Sequence, residues 1–517
     1  MVEVTIEEKK RMGDSLLWEL QNITYEQFGP QAWAGKGVPF YLTSNPYIAH
    51  RYANVILGYL RDCLAPTAKT PINLDEPIYI FDLGAGSGRF GYLCLKNLIE
   101  MVKIFPKRPK ITYVMCDMVE DNIAFWRSHP LLKPYVEKGV LDFARYSEQE
   151  ENRTLTLLES GVTLTRETAV NPLLLVCNYF FDTIPQDLFR VHKGKVEEGL
   201  LKLTVDAPEG QKVNPRDPAV ISKLKLTYDY AKIDSLDTYY DNPKWNHILR
   251  EYEESFKETA FLFPTRPLKT IEWFAELSGQ RLFMIAGDQG VSSHDQVQNW
   301  EKPLICRHGS FSFGVSYDAI KRFFDNEKGA GFVTSYPNKV FVQMSGVLGG
   351  DKDAYPETAF AFKESMDAFE PRDYWKLLIR KKEEANITPY EKLLLYLKLS
   401  YFCPVRFNIY FESLRSQLNK FGAVEKKQFR HMVFQAADNF YFVNPEEAIF
   451  ILNLGVLLYD LSDLQGAHDL FRRSMLYTGP REVTLENLIK CSDRMGDQEK
   501  VEEYRKQLEE ARMRPRP

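Results

Sequence analysis

Gly84, Gly86 and Gly88 stand at every second position in IYIFDLGAGSGRFGYL (78–93), directly after an apolar run and Asp82. Glycine loses the most conformational freedom on folding, so three of them here mean that bare backbone is required. A glycine loop that opens a helix points backbone N–H groups outward and suits the acceptor groups of a ligand, phosphates among them. A nucleoside-triphosphate loop would need G-x-x-x-x-G-K-[ST], and no such segment occurs. A dinucleotide fingerprint, G-x-G-x-x-G, would need a third glycine at 89, where Arg89 stands. A carboxylate ending the next strand can accept hydrogens from both vicinal hydroxyls of a ribose. Asp117, closing ITYVMCD 29 positions after Gly88, is placed for that; as a bare strand-end acid it would only be solvated. Asn178 and Asp182 in CNYFFDTIP, and Asp288 in GDQG, each end or just follow a further apolar run. The C-terminal edge of a parallel sheet is where ligands sit, so these are contact candidates.

Positioning those residues takes a sheet. IYIFDL, ITYVMCD, Leu173 to Cys177 and the apolar run in QRLFMIAGDQG are strand candidates, and FGYLCLKNLIEMVKIF and NIAFWRSH are helical. Buried runs alternating with helices predict an α/β fold with a parallel sheet covered on both faces. A polar, Tyr-rich stretch at about 195–265 is expected to be an inserted cap. In it VEEGLLKLTV suits a hairpin strand, and PKWNHILREYEESFKETAFLF reads as helix. Residues 1–75 read as mainly helical, broken by FGPQAWAGKGVPFYLTSNP, a functional loop or lid. The domain carrying the glycine loop spans 76–350. GVLGGDKDAYPET is a linker candidate, and 370–517 forms an all-α domain. There, Leu454, Gly455, Leu458, Ala467 and Phe471 have the large and small spacing of a helix-turn-helix repeat. Leu485, Leu488, Ser492 and Val501 form a weaker copy one period later. The pattern resembles a tetratricopeptide repeat; the plainer alternative is an ordinary helical hairpin.

A chain of 517 residues exceeds one core, and a net charge of -5 argues against general nucleic-acid binding. No run of 18 apolar residues occurs, so no membrane span is expected, and MVEVTIEEKKRMGDSLLWEL reads as neither a signal nor a transit peptide. Seven scattered cysteines without C-x-x-C predict free thiols and a reducing, cytoplasmic setting, with no metal site.

Asp82 followed by G-x-G-x-G resembles motif I of class I S-adenosylmethionine methyltransferases, whose loop passes under the methionine and ribose of the cofactor. The resemblance implies a Rossmann-like sheet and S-adenosylmethionine as cofactor. It implies cofactor contacts at Asp82, Gly84, Ala85, Gly86, Gly88, Asp117 and Asn178. Arg89 could meet the cofactor's carboxylate or be a surface helix residue. More narrowly, CNYFFDTIPQDLF resembles the N-E-F-F-D-A-L-P signature of the MidA-like methyltransferase family. LFMIAGDQG is similar to its strand ending I-D-Y-G, GVPFYLTSNPYIAHRYANVI to its G-D-F-x-T-S-P segment, and GVSYDAIKRFF to its V-D-F-x-x-L stretch. The similarity runs from about 20 to 350. Mitochondrial members of that family methylate an arginine on a respiratory-complex subunit, so a protein acceptor is implied.

The sequence departs from the family on the acceptor side: Tyr179 replaces Glu, Gln289 replaces Tyr, and Ser310, Ser312 and Gly314 replace Asp, Thr and His. Methyl transfer from a sulfonium is mainly a matter of positioning and desolvation. A nitrogen acceptor gains positive charge as it attacks, which nearby carboxylates would stabilise. Asp182, Asp288 and Asn178 are the catalytic candidates, although Asp182 could instead cap a helix and GDQG could be a plain turn. Phe180 and Phe181 either wall the pocket or belong to the core, and His308 suits a structural role better than a base. Three functions fit: a protein methyltransferase whose helical repeats recruit the target, a small-molecule methyltransferase, and a non-catalytic scaffold that binds S-adenosylmethionine.

Overall fold

The structure is a computed structural model that describes residues 1–33, 43–148, 154–210, 212–298, 305–308, 310–335, 341–379 and 389–513. The chain divides into two compact units, 1–44 with 48–372 and 45–47 with 373–517.

The first unit is built on a seven-stranded sheet: β1 (Ile78–Leu83), β2 (Ile111–Asp117), β3 (Leu141–Arg145), β4 (Leu173–Asn178), β5 (Leu282–Asp288), β6 (Ala330–Val333) and β7 (Val342–Val347). Every residue of β1, β4, β5 and β7 is buried, which is why β1, β4 and β5 read as near-continuous apolar runs rather than alternating ones. Phe81, Leu175 and Met284 share one core with Phe274, Ile320 and Phe323 from the helices Thr265–Leu277 and Tyr317–Asn326. Tyr59, from the helix Pro46–Leu64, stacks on Phe283 at 4.8 Å.

Spatial order is β6-β7-β5-β4-β1-β2-β3. The first five strands are mutually parallel, and only β7 runs against its neighbours β5 and β6. The chain walks outward from β1 to β3, then returns to place β4 on the other side of β1. That reversal opens a crevice at the C-terminal ends of β1 and β4, the usual ligand position in open α/β sheets.

The insertion is a second, antiparallel sheet. Lys195–Ala207 pairs with Val2–Arg11, Asp187–His192 and Lys225–Lys232, and Glu258–Phe263 extends the sheet beyond Asp187–His192. Lys193 and Gly194 both have positive φ, +52° and +70°, as a two-residue hairpin requires. Two expectations are corrected here. The first ten residues are a strand rather than helix, because VEVTIE alternates apolar and polar residues and finds a partner in Lys195–Ala207. The helix Pro243–Ser255 stops at Phe256, whose backbone is extended, and ETAFLF is a buried strand. The strands β3, β6 and β7 were also not foreseen. They are short or, as in VQMSGV, interrupted by polar Gln343 and Ser345.

The second unit is helical among the described residues. Its last four helices, Ile449–Asp460, Leu464–Thr478, Glu482–Met495 and Gln498–Met513, each pack on the next. Leu454, Gly455, Leu458, Ala467 and Phe471 are buried at the seam of the first pair, and Leu485, Leu488, Ser492 and Val501 at that of the second. Gly496, at φ +76°, caps the turn between them. No described helix is long and apolar enough to cross a membrane.

Candidate functional site

A cavity of about 290 Å³ opens at the crevice between β1 and β4. It is lined from the ends of four parallel strands. Asp82 and Gly84 come from β1 and its loop, Asp117 from β2, Tyr146 and Glu148 from beyond β3, and Asn178, Tyr179, Phe180 and Asp182 from the end of β4 and the turn after it. Asn22 and Tyr25 of the helix Leu16–Phe28, with Thr43 and Ser44, close one side, and Cys306 and Ser312 another.

The glycine loop supplies room rather than free amides. Gly84, Gly86 and Gly88 lie at φ +68°, +54° and +78°, the left-handed region that explains their selection. Three of the loop's N–H groups are spent within the protein. Ala85 N–H donates to Cys116 O at 3.0 Å, Gly88 N–H to Ala85 O at 2.9 Å, and Gly86 N–H to Asp117 Oδ2 at 2.9 Å. Only Gly84 and Ala85 of the expected loop contacts line the cavity; Gly86 and Gly88 shape the turn beneath it. A Cβ on Gly84 would come within 2.8 Å of Phe180 Cδ2. Gly84→Ala therefore combines left-handed strain of roughly 1–2 kcal/mol with a displaced ring. A urea midpoint unchanged from wild type would refute that reading.

Asp117 is held by its own backbone. Besides Gly86, its Oδ1 accepts from Val119 N–H at 3.0 Å. Burial raises its pKa, and these N–H groups oppose the rise. It lines the cavity while 7% exposed. Asp82 is 2% exposed, and its Oδ2 has no hydrogen-bond partner among the described residues. Burial, with the neighbouring charge of Asp117, pushes it up to about 7.

Asn178 donates from Nδ2 to Thr43 O at 3.1 Å, which fixes its amide at the cavity wall. Tyr179 follows in a left-handed conformation, φ +55°, stacked on Phe341 at 5.4 Å. A non-glycine residue in that region marks strain held in place by its surroundings, here at the strand end that faces the cavity. Phe180 walls the cavity under Gly84, while Phe181, fully buried, belongs to the core.

Asp182 and Asp288 form a buried pair. Asp182 N–H donates to Asp288 Oδ1 at 3.4 Å, and the Tyr317 hydroxyl donates to Asp288 Oδ2. Burial raises both, Asp182 to about 7, and the charge of Asp182 raises Asp288 further. Two such carboxyls cannot both ionise readily, so the pair retains a proton near neutrality. Asp182 lines the cavity at 1% exposure, and neither of its oxygens has a hydrogen-bond partner among the described residues. Asp288 does not reach the cavity. The expectation that it meets an acceptor directly is corrected: it lies behind Asp182, held by Tyr317, as a positioning residue. Arg89 does not line the cavity either.

Gln289 and Ser312, two of the positions where the sequence leaves the family pattern, do line it. The side chains of His308 and Ser310, and most of the expected lid (34–42), lie outside the described residues. Tyr146 and Glu148 were not anticipated, because LDFAR had not been read as a strand; the strand-end rule would have found them. Cys306 and the helix residues Asn22 and Tyr25 carry no local signal. They reach the cavity through tertiary packing alone.

Among the described residues the lining holds four carboxyls, Asp82, Asp117, Glu148 and Asp182, and no Lys, Arg or His. Phosphate groups would meet repulsion there, whereas a ligand with positive charge and hydroxyl donors is complemented. Among the described residues no cluster of His, Cys, Asp and Glu could hold a metal ion.

No protein-family model matches the chain, and no curated protein matches it. Two solved structures from Burkholderia thailandensis show partial likeness. One is an uncharacterized ACR protein of the COG1565 superfamily, 10% identical with a TM-score of 0.36. The other is a COG1565 superfamily member provisionally described as a methyl transferase and bound to S-adenosyl-homocysteine, 12% identical with a TM-score of 0.38. Each alignment covers 66% of this chain and 96% of the other. Likeness this faint carries no weight for the chemistry of this chain.

Proposed function

We propose that this protein is an S-adenosylmethionine-dependent methyltransferase of the Rossmann-like class I type. In this reading its acceptor is a nitrogen of a protein side chain, of arginine type by family resemblance. The observation that carries the reading is the cavity at the β1–β4 reversal, whose described lining is acidic, with Asp117 at the end of the second strand.

The residues present suit that cofactor. Asp117 stands at the end of the second strand, oriented by the N–H groups of Gly86 and Val119 and suited to ribose hydroxyls, and Asp82 and Asp182, which line the same cavity, carry buried oxygens with no hydrogen-bond partner among the described residues. Asn178 holds the wall between the cofactor and acceptor ends. When bound, S-adenosylmethionine supplies a methyl group on a sulfonium, which an acceptor lone pair displaces in line. The protein's part is to align the acceptor, exclude water and stabilise positive charge on the attacking nitrogen. Asp182 suits the last task, since it lines the cavity and both its oxygens lack hydrogen-bond partners among the described residues. Asp288 and Tyr317 set its orientation from behind.

For the second unit we propose target recruitment, since stacked helical hairpins present extended surfaces that suit peptides. The test of the cofactor assignment is calorimetry on Asp117→Ala. Losing charge-assisted hydrogen bonds to two hydroxyls weakens nucleoside binding by roughly tenfold to a hundredfold. Affinity equal to wild type would remove Asp117 from the ribose site, and no uptake by the wild-type chain would end the methyltransferase reading.

A further inference from the structure

We propose that the cavity distinguishes the charged sulfonium nucleoside from its neutral thioether product by releasing a carboxyl proton when the charge enters, and that Asp182 is the residue that releases it. The proposal rests on the S-adenosylmethionine reading above and concerns how that site selects between cofactor and product.

The charge inventory of the cavity is one-sided. Of its four lining carboxyls, Asp117 is tied by two backbone N–H groups, and Glu148 is engaged within the fold. Asp82 and Asp182 remain, each lining the cavity and at least nine-tenths buried, with buried oxygens that have no hydrogen-bond partner among the described residues. Among the described residues, the groups around Asp182 supply no positive charge. Asp288 faces it from β5, Ser312 from the strand Ser310–Phe313, and Cys306 from Ile305–His308, with Tyr317 behind Asp288. Around Asp82 stand Tyr113 and Asp117 of β2 and Cys94 of the helix Arg89–Met101. An ionised carboxylate in such surroundings is unfavourable, so the empty cavity keeps these groups protonated near neutral pH.

A fixed positive charge entering a water-poor cavity reverses that preference. The carboxyl O–H bond breaks, the electron pair stays on the Asp182 oxygen, and the proton passes to solvent. The charge of the cavity with its ligand is thereby little changed. The product nucleoside has the same adenosine, amino and carboxylate groups but a neutral sulfur, so it provides no drive to expel the proton. After transfer, the acceptor nitrogen sheds a proton as its N–H bond breaks, and Asp182 can take it up. The site thus returns to its protonated state and loses its hold on the product.

The test is isothermal titration calorimetry of the full chain with S-adenosylmethionine and, separately, S-adenosylhomocysteine. Each is titrated at pH 6, where a carboxyl pushed up to about 7 still holds its proton, in two buffers of different ionisation enthalpy. The sulfonium form is expected to release about one proton more than the thioether. Below pH 7 its affinity should then rise by about tenfold for each unit by which the pH increases, with no such dependence for the thioether, because proton release and affinity are linked. Asp182→Asn should abolish the extra proton; Asp82→Asn should retain it. Equal proton counts for the two nucleosides overturn the proposal while leaving the methyltransferase reading intact. Loss of the extra proton in Asp82→Asn overturns the assignment to Asp182, even if Asp182→Asn does not fold. Failure of both nucleosides to bind overturns the proposal and the underlying reading together.

Discussion

Asp82→Asn is expected to make the ligand-free protein more stable than wild type at pH 8, and to weaken its hold on the nucleoside. Asp82 is 2% exposed, with one oxygen unmatched, and burial pushes it up to about 7. In the unfolded chain the same carboxyl titrates near 3.9. Between those values the folded protein holds a proton that the unfolded chain has released, so stability falls as pH rises through the window and levels off above about 7. A gap of about three units corresponds to at most about 4 kcal/mol. Asparagine has no proton to lose and is spared that decline. Any fixed cost of seating its amide beside Tyr113 and Gly91 is the same at every pH, so the signature is the change in the difference. Urea unfolding of both proteins at pH 5 and pH 8 measures it. The advantage of the variant should grow by a few kcal/mol over that range; a constant offset would mean that Asp82 is ionised in the fold at all these pH values. A group that costs stability at working pH and faces a ligand cavity is the pattern expected where activity is kept at the expense of stability.

The parts of the site visible in the sequence are those in which local backbone and chemistry coincide. Gly84, Asp117 and Asn178 sit at strand ends because β1, β2 and β4 are unbroken apolar runs, and such runs announce both their own burial and where they stop. The roles of the loop amides were not visible, because whether Gly86 N–H meets a ligand or Asp117 depends on how two loops approach. Asp288 shows the same limit. GDQG marks a strand end, but only the packing of Tyr317 shows that its carboxylate is turned behind Asp182 and away from the cavity. The second sheet was hardest to read, since Val2–Arg11 becomes a strand only by pairing with Lys195–Ala207, about two hundred residues along.

Phe471→Ala is expected to destabilise the second unit by about 3–5 kcal/mol and to leave nucleoside uptake unchanged. Phe471 is fully buried on the helix Leu464–Thr478, and its ring lies over Gly455 of the helix Ile449–Asp460. A Cβ placed on Gly455 would stand 2.5 Å from Phe471 Cε1, so the glycine is what lets the two helices close on the ring. Removing the ring leaves a void bounded by a residue with no side chain to fill it, and the loss exceeds the transfer energy alone. Gly455→Ala overpacks the same seam and costs about 1–3 kcal/mol. The two changes should not add. In Gly455→Ala/Phe471→Leu the new methyl occupies space that the ring gave up, and the double variant should be more stable than the sum of the singles implies. Urea unfolding followed by far-UV circular dichroism reads these differences, and additivity within error would show that the two residues do not share a seam. Every described residue that lines the cavity belongs to the first unit, so calorimetry with S-adenosylmethionine should return the wild-type affinity for Phe471→Ala. A weakened affinity would show that the helical unit supports the fold around the cavity, and its role could no longer be confined to presenting a target.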